Sequence, residues 1–573
     1  MKRCPECRRD YNDDTLLYCL EDGTALVQGS VPSPDEPATA ILHDTDATGE
    51  AATRAQIHAT DEIAASPSGI AEPPGRKSNK LLLAVPIVLA VIILGGFFGY
   101  RYVTQAKQIE SIAVMPFVNE SGNPEIEYLS DGMTDTLINN LSRIPKLSVK
   151  ARSSVFRYKG KTVEPQQVAV DLNVQAVVNG RVIQRGDNLT LNLEIVDARS
   201  GDQIWGEQYI RKIGDLVTLQ SDIARDVSNR LRQKLSGADT ERISKRGTEN
   251  TEAYQQYLKG RFHWNKRTID DISRSIGYFQ KAIELDPSYG LAYAGLADSY
   301  VVIPSYTNNR SKEAYPKART AAMKALEIDD SLAQAHATLA DVLYEFDWKF
   351  EESEKEFKRS IELDPNYATA HHWYAEYLLS MGRKDDALAE IKRAQECDPL
   401  SLIINAIVGV VHSVRGEYAE AEAQLKKTIE MDPNFPRSHL FLAEVFEEQG
   451  KFDEATTEYE KHAVLIGIPA DSVAKEWATI RQAYKNKGPQ GYREALLALA
   501  RKAAEKNPDT APPMFAIGVL YAQAGDKDRA FEYFEKSLEQ REPDILRLQD
   551  PNLGSIRSDP RFKDIVHRVG LPQ

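Results

Sequence analysis

Cysteine is nearly missing from this chain: there are four in 573 residues. That excludes a disulfide scaffold, because three of them, Cys4, Cys7 and Cys19, sit together and leave one thiol over after any internal pairing. A surplus of positive charge is missing too. Lys and Arg number 71 against 85 Asp and Glu, a net charge of −14, whereas a general nucleic-acid binder needs a dense basic surface to meet phosphates. Enzyme signatures are absent as well: there is no kinase HRD or DFG set, no G-x-S-x-G elbow, no H-E-x-x-H and no phosphate-loop pattern. Long apolar runs are absent apart from one. The rest is ordinary in composition, 42% hydrophobic and 27% charged, and the length exceeds a single core, so several domains are expected.

The three clustered cysteines read as a metal site. Cys4 and Cys7 form a knuckle in CPEC, and eleven residues separate Cys7 from Cys19. A tetrahedral zinc ion takes a fourth donor, which a second knuckle would place at Asp22; Glu21 and His43 are rival donors. The spacing predicts a small ribbon over residues 1–28 with a structural zinc on Cys4, Cys7, Cys19 and Asp22, since so short a segment buries little core of its own. Residues 29–80, rich in Ala, Ser, Thr, Pro and acids, read as a flexible acidic tether.

The one apolar run is LLLAVPIVLAVIILGGFFGY, residues 81–100. At 1.5 Å per residue it reaches about 30 Å, the thickness of bilayer hydrocarbon, and predicts a transmembrane helix. Arg76, Lys77 and Lys80 before it outnumber Arg101 and Lys107 after it, which favours a cytoplasmic N-terminus. The expectation is a single-pass bacterial inner-membrane protein with its C-terminal domains outside the cytoplasm.

After the run the texture becomes that of an α/β domain. SIAVMPF predicts a short buried strand, and the helical spacing of Ile126, Leu129, Met133, Leu137 and Leu141 a helix after it. Alternating Leu189, Leu191, Leu193 and Ile195 predict a half-buried strand between RGDN and RSGD turns. Asp131-Gly132 is read as a turn near a helix. The runs SIAVMPFVNESGNPEIEYLSDGMTDTLINNLSRIPKLSV and VVNGRVIQRGDNLTLNLEIVDARSGDQIWGEQY resemble the TolB amino-terminal-like domain of bacterial envelope and signalling proteins, with bounds near 108–237. In that family the domain often precedes tetratricopeptide (TPR) repeats and in some members follows a cyclase, kinase or winged-helix module. The resemblance implies a fold and a context, and no catalytic residue.

The second half is periodic. Asp364-Pro365, Asp398-Pro399 and Asp432-Pro433 stand 34 residues apart, as do Gly382, Gly416 and Gly450, and Ala387, Ala421 and Ala455. This is the TPR period, and it predicts an all-α solenoid over 250–545 with six clear repeats, one or two degenerate ones, and a capping tail at 546–573. Each helix pair has an apolar face it cannot bury alone, so stacking leaves a concave groove for proteins or peptides. His372 and Glu376 are the groove candidates. They stand where the chaperone-tail-binding class carries Lys and Asn, so a terminal carboxylate is not the expected ligand. His336, His371 and His439 share one first-helix position; helices pack about 8–10 Å apart, too far for one ion across repeats, so these are expected to fill the slot of a large aromatic. Cys397 reads as a helix-end filler.

The fold expected is thus multidomain: zinc ribbon, one transmembrane helix, α/β domain and TPR solenoid. The function expected is a membrane-anchored, non-catalytic adaptor recruiting proteins through its repeats, with the membrane itself as a partner through residues 81–100 and no strong nucleic-acid binding. The alternatives are a membrane-bound signal-transduction or transcription regulator with the ribbon as its output, or an enzyme or nucleotide binder through the α/β domain.

Overall fold

The computed structural model describes residues 2–3, 10–11, 27–28, 109–144, 146–231, 247–305, 311–506 and 512–572. The chain divides into two units, Met1–Ile93 and Leu94–Gln573. In the first, strands β1 (Lys2–Arg3), β2 (Asp10–Tyr11) and β3 (Val27–Gln28) pair antiparallel in the order β2-β1-β3.

The second unit opens with a sheet domain. Its strands are β4 (Ser111–Val114), β5 (Val118–Asn119), β6 (Ser148–Val149), β7 (Ala176–Arg185), β8 (Asn188–Asp197) and β9 (Gln203–Lys212), in the order β6-β4-β7-β8-β9. β4 runs parallel to β6 and β7, while β7, β8 and β9 form an antiparallel meander. Parallel neighbours need a crossover, and helix α1 (Glu127–Ser142) provides it between β4 and β6. Short helices α2 (Arg152–Val155) and α3 (Pro165–Leu172) follow, then α4 (Leu216–Leu231) after the meander. The alternation in β8 buries Leu189, Leu191, Leu193 and Ile195 against these helices.

The solenoid is built of helix pairs: α5 (Thr251–Trp264) with α6 (Ile269–Leu285), α7 (Gly290–Val301) with α8 (Ser311–Ile328), α9 (Ala333–Val342) with α10 (Phe350–Leu363), α11 (Ala368–Ser380) with α12 (Lys384–Cys397), α13 (Leu402–Val414) with α14 (Tyr418–Met431), and α15 (Pro436–Glu448) with α16 (Phe452–Leu465). The long α17 (Ala470–Lys506) breaks at Gly488, whose φ of 61° is not helical. Then come α18 (Met514–Ala524), α19 (Lys527–Gln540) and the tail helix α20 (Pro560–Val569). Gly382, Gly416 and Gly450 carry φ of 73°, 80° and 74° at the turns inside three successive pairs, a left-handed conformation that costs glycine nothing.

The four-part expectation is therefore corrected to a small sheet domain followed by an all-helical TPR solenoid. Among the described residues no helix is long and apolar enough to cross a membrane. The reason is chemical: each long helix is amphipathic, and even α17, the longest, carries charges along its length. Residues 81–100, expected to span, lie outside the described residues, and the single-pass inner-membrane placement loses its support with them. Cys4, Cys7, Cys19 and Asp22 lie outside the described residues as well.

Sheet domain and solenoid are one body. Their apolar cores are continuous, running from Leu129 and Met133 of α1 to Tyr254, Tyr257 and Leu258 of α5. Gly132 lies within α1, where the sequence suggests a turn; a Cβ there would come 2.8 Å from Leu258, so glycine lets α1 and α5 approach closely. Its neighbour Asp131 receives Lys159 at 2.6 Å.

Candidate binding surface of the repeats

The periodic Asp-Pro corners are where the sheet domain is held. Ser142 at the end of α1 donates to Asp364 at 2.6 Å, and Ser154 of α2 donates to Asp398 at 2.6 Å, with Ser153 donating to the same carboxylate. Asn366 donates to the Ser142 and Leu147 carbonyls at 2.9 and 2.8 Å, Arg157 reaches the Leu400 and Met431 carbonyls at 3.2 and 2.7 Å, and the Cys397 carbonyl accepts from the Ala151 amide at 3.0 Å. Burial raises the Asp364 and Asp398 carboxyls, and the serine donors oppose it. A second seam is ionic: Arg261 of α5 pairs with Asp135 of α1 at 3.1 Å and with Asp298 of α7 at 3.3 Å, and Thr338 of α9 donates to Asp298 at 2.6 Å. The sequence shows the aspartates by their period, but nothing local says that a serine 222 residues away will claim one of them.

The three periodic histidines do not merely fill an aromatic slot. His336 Nδ1 faces Glu356 at 2.5 Å, His371 faces Glu390 at 2.6 Å and His439 faces Glu458 at 2.5 Å. Each Nε2 faces a carbonyl of the preceding corner, that of Asp330, Pro365 or Pro433, at 3.0, 3.2 and 3.0 Å. In the repeat between the last two, Asn405 takes the histidine's place and donates to the Pro399 carbonyl at 2.9 Å, while Gln424 takes the glutamate's and donates to Asn405 at 2.9 Å. It is the same clamp without charge. Cys397 is buried, and burial pushes its thiol up to about 11.

The first helices of a TPR stack line its inner face, and equivalent positions there hold Asp341 in α9, Glu376 in α11 and Glu444 in α15, with Val410 between them in α13. Glu345 follows Asp341 by one helical turn and accepts from the Tyr315 hydroxyl. Burial raises Asp341 and Glu345, which also repel each other and Glu376. The Glu376 side chain is 39% accessible, yet the surrounding helices push it up to about 7, against the pull of Arg437 in α15. His372 is buried; burial, and secondarily Arg437, push it down to about 3, so the imidazole is neutral. The two groove candidates are thus together, His372 Nε2 lying 3.4 Å from Glu376. Further along, Ser413 donates to Glu448 at 2.5 Å and Tyr459 donates to Glu447 at 2.7 Å, and burial pushes both carboxyls up to about 7.

The tail reaches across this surface. Arg541 stacks on Trp348, its guanidinium 3.7 Å from the ring centre, and donates to the Phe346 carbonyl at 3.0 Å. The turn Pro543–Arg547 meets the turn Leu343–Asp347 of the third repeat. Ile545, Leu546 and Leu548 join one apolar cluster with Tyr344, Tyr374 and Tyr377. Arg547 then lies 3.7 Å from Glu444 and 3.3 Å from Asp550. Among the described residues no cluster of three or more His, Cys, Asp or Glu is arranged to hold a metal ion.

The period, the helix pairs and matching family models make the helical half a TPR array: TPR models match residues 356–389, 415–462 and 490–545. Over residues 107–225 the matching model is that of the second domain of HilA/YgeH-like transcriptional regulators, where the sequence resemblance points to a TolB amino-terminal-like domain. Putative adenylate cyclase 3 of Rhizobium meliloti is 33% identical over 236 residues, 40% of this chain and 39% of that protein. The transcriptional regulator HilA of Salmonella typhimurium is 20% identical over 292 residues, 50% of this chain and 51% of that protein. The matches thus span about two fifths to one half of these relatives. Similar solved structures include the human IFIT1 dimer with PPP-AAAA, at 15% identity, 74% and 97% coverage and a TM-score of 0.38. Another is pilF of Pseudomonas aeruginosa, at 19% identity, 42% and 90% coverage and a TM-score of 0.26.

Proposed function

We propose that this chain is a non-catalytic scaffold whose repeats capture a protein partner on their inner face, while the sheet domain stiffens the array from its Asp-Pro corners. The observation that carries this reading is the placement of Asp341 and Glu376 at one repeated inner position with no Lys or Arg among the described residues paired to them, while Glu444 at the same position is met by the chain's own Arg547. Ionisable side chains kept on a walled inner surface cost stability, and a partner supplies the reason to keep them. A photo-crosslinking residue tests it. Placed at Val410 on the inner face of α13 it should capture partner protein, and placed at Lys427 on the outer helix α14 it should not; equal capture from both positions would remove the support.

A second reading is favoured by the HilA-type match over 107–225: the rigid sheet-plus-repeat body serves as the regulatory part of a transcription regulator. The relatives' names differ, a putative cyclase and a transcriptional regulator, which supports a shared recognition module joined to different outputs. The zinc site on Cys4, Cys7, Cys19 and Asp22 stands as a proposal resting on spacing alone.

A further inference from the structure

The inner face is not uniformly equipped. Toward α15 its carboxylates have partners: Glu444 faces Arg547, Glu447 accepts from Tyr459 and Glu448 accepts from Ser413. Toward α9 and α11 they lack a cation, although Glu345 accepts from the Tyr315 hydroxyl. Asp341, Glu345 and Glu376 act on one another, and no Lys or Arg among the described residues stands within ion-pair distance of any of the three. Arg437 pulls on Glu345 and Glu376 from across the groove without pairing.

A second observation is independent of that charge. His372 is 7% exposed, and its Nε2 makes no hydrogen bond although it lies 3.4 Å from the Glu376 carboxylate. A buried ring nitrogen without a partner is costly, and here it lies beside a carboxylate that no cation of the described residues pairs with. The chain also shows how such a wall is met. Its own Arg547, brought in by the tail, is the cation that Glu444 and Asp550 receive.

We propose that Asp341, Glu345, His372 and Glu376 form the recognition pocket for a basic, extended segment of a protein partner, one arginine or lysine side chain seating between Glu345 and Glu376. The neutral His372 accepts a hydrogen bond from that cation, which satisfies its nitrogen. Charge sign excludes phosphate and carboxylate ligands. The segment binds beside the tail, using the half of the wall that Arg547 does not reach. The inference rests on the reading that the inner face captures protein, and it names the chemistry captured.

The groups facing the pocket are Tyr315 from α8, Asp341 from α9, Tyr344 and Glu345 from the turn after it, His372 and Glu376 from α11, Arg437 from α15 and Asp544 from the tail. Since the helices around the groove push Glu376 up to about 7, a cationic ligand must displace protons at neutral pH, and affinity should fall as pH drops from about 8 to about 6.

The full-length chain is titrated with a fluorescent alternating Arg-Gly peptide and, in parallel, with an alternating Glu-Gly peptide. Binding is expected for the first and absent for the second. Glu345→Gln with Glu376→Gln should weaken the Arg-Gly peptide about tenfold or more. Arg437→Gln should tighten it, an effect that damage to the fold would not produce. Glu420→Gln with Glu430→Gln removes two exposed carboxylates from the outer helix α14 and should leave affinity unchanged. Equal losses from the inner and outer pairs, or no binding by the native chain, would overturn the pocket. Crosslinked partner from Val410 with no affinity for the Arg-Gly peptide would overturn this inference and leave the scaffold reading standing.

Discussion

Nδ1 of His439 lies 2.5 Å from a Glu458 carboxylate oxygen while its Nε2 lies 3.0 Å from the Pro433 carbonyl. Both neighbours are acceptors, so the ring satisfies both only when it carries two protons. The hydrogen bond that His439 donates to Glu458 raises its pKa and outweighs burial; at His336 burial is the largest single effect and lowers the pKa, but the bonds to Glu356 and the Asp330 carbonyl and the charges of those two residues together raise it. Burial works against the Glu458 charge, but His439 and Lys461 hold its carboxyl below the usual range. The charged clamp therefore stabilises the fold within a window. A raised histidine contributes fully below its unfolded value, about 6.5, and loses that contribution as pH rises through the folded value. A lowered glutamate contributes above its unfolded value and loses that contribution as pH falls through the folded one.

Asn405 and Gln424 suggest the first test. The double variant His439→Asn, Glu458→Gln installs the neutral clamp the chain already uses one repeat earlier. Its Tm should vary less with pH above about 6.5 than that of the native chain. His439→Asn alone leaves Glu458 with Lys461 but without its histidine donor and should cost about 1–3 kcal/mol. Identical pH profiles for native and double variant would show that the clamp is uncharged.

Removing the corner contacts should uncouple the two halves of the body. Ser153→Ala with Ser154→Ala strips the side-chain donors from the buried Asp398, at a cost of about 1–3 kcal/mol. In a double-mutant cycle with Asp398→Asn the coupling should reach about 0.5–3 kcal/mol. Simple additivity would mean that the apolar seam around Leu258 holds the domains by itself.

Two glycines separate space from conformation. At Gly295 in α7 a Cβ would meet Phe279 at 2.5 Å, so Gly295→Ala should destabilise by about 1–3 kcal/mol through overpacking. At Gly277 on the exposed side of α6 nothing lies within 4 Å, and Gly277→Ala should stabilise by about 0.5–1 kcal/mol. Chemical denaturation of both variants reads the signs, which must be opposite.

Metal analysis addresses the N-terminal cysteines. The full-length chain should carry one zinc per molecule by the tetrahedral four-donor reading. Cys19→Ala should lose it and Asp22→Cys retain it. Full retention by Asp22→Ala would move the fourth ligand to Glu21 or His43.

What the sequence makes legible here is what repeats locally. The spacing of Gly382, Gly416 and Gly450 marks the turns, and the alternation through Leu191 marks β8, because each reports a period that the backbone itself imposes. The partners are harder to read. Glu356, Glu390, Gln424 and Glu458 also recur every 34 residues, in step with His336, His371, Asn405 and His439 after one extra residue is allowed, so the clamp was available as a paired period. The link between Ser142 and Asp364 was not, since serine is common and carries no period of its own. His372 and Glu376 were recognisable as inner-face residues from their repeat positions. Their surroundings depend on Arg437, which arrives from another repeat and acts on both without pairing. Gly132 was misread because a glycine that lets two helices touch looks, one residue at a time, like a glycine that ends one.

An open solenoid tolerates duplication, since each unit touches its neighbours alone. Here Arg541 is tied to Trp348 and the Phe346 carbonyl, 195 residues back along the chain, so the last repeat is registered against the third. One more 34-residue unit between them would rotate and lift the tail away from Trp348 and withdraw Arg547 from Glu444. The array is a closed count: its length is a specified quantity, and descendants that gain or lose a repeat in this stretch must also give up the clasp.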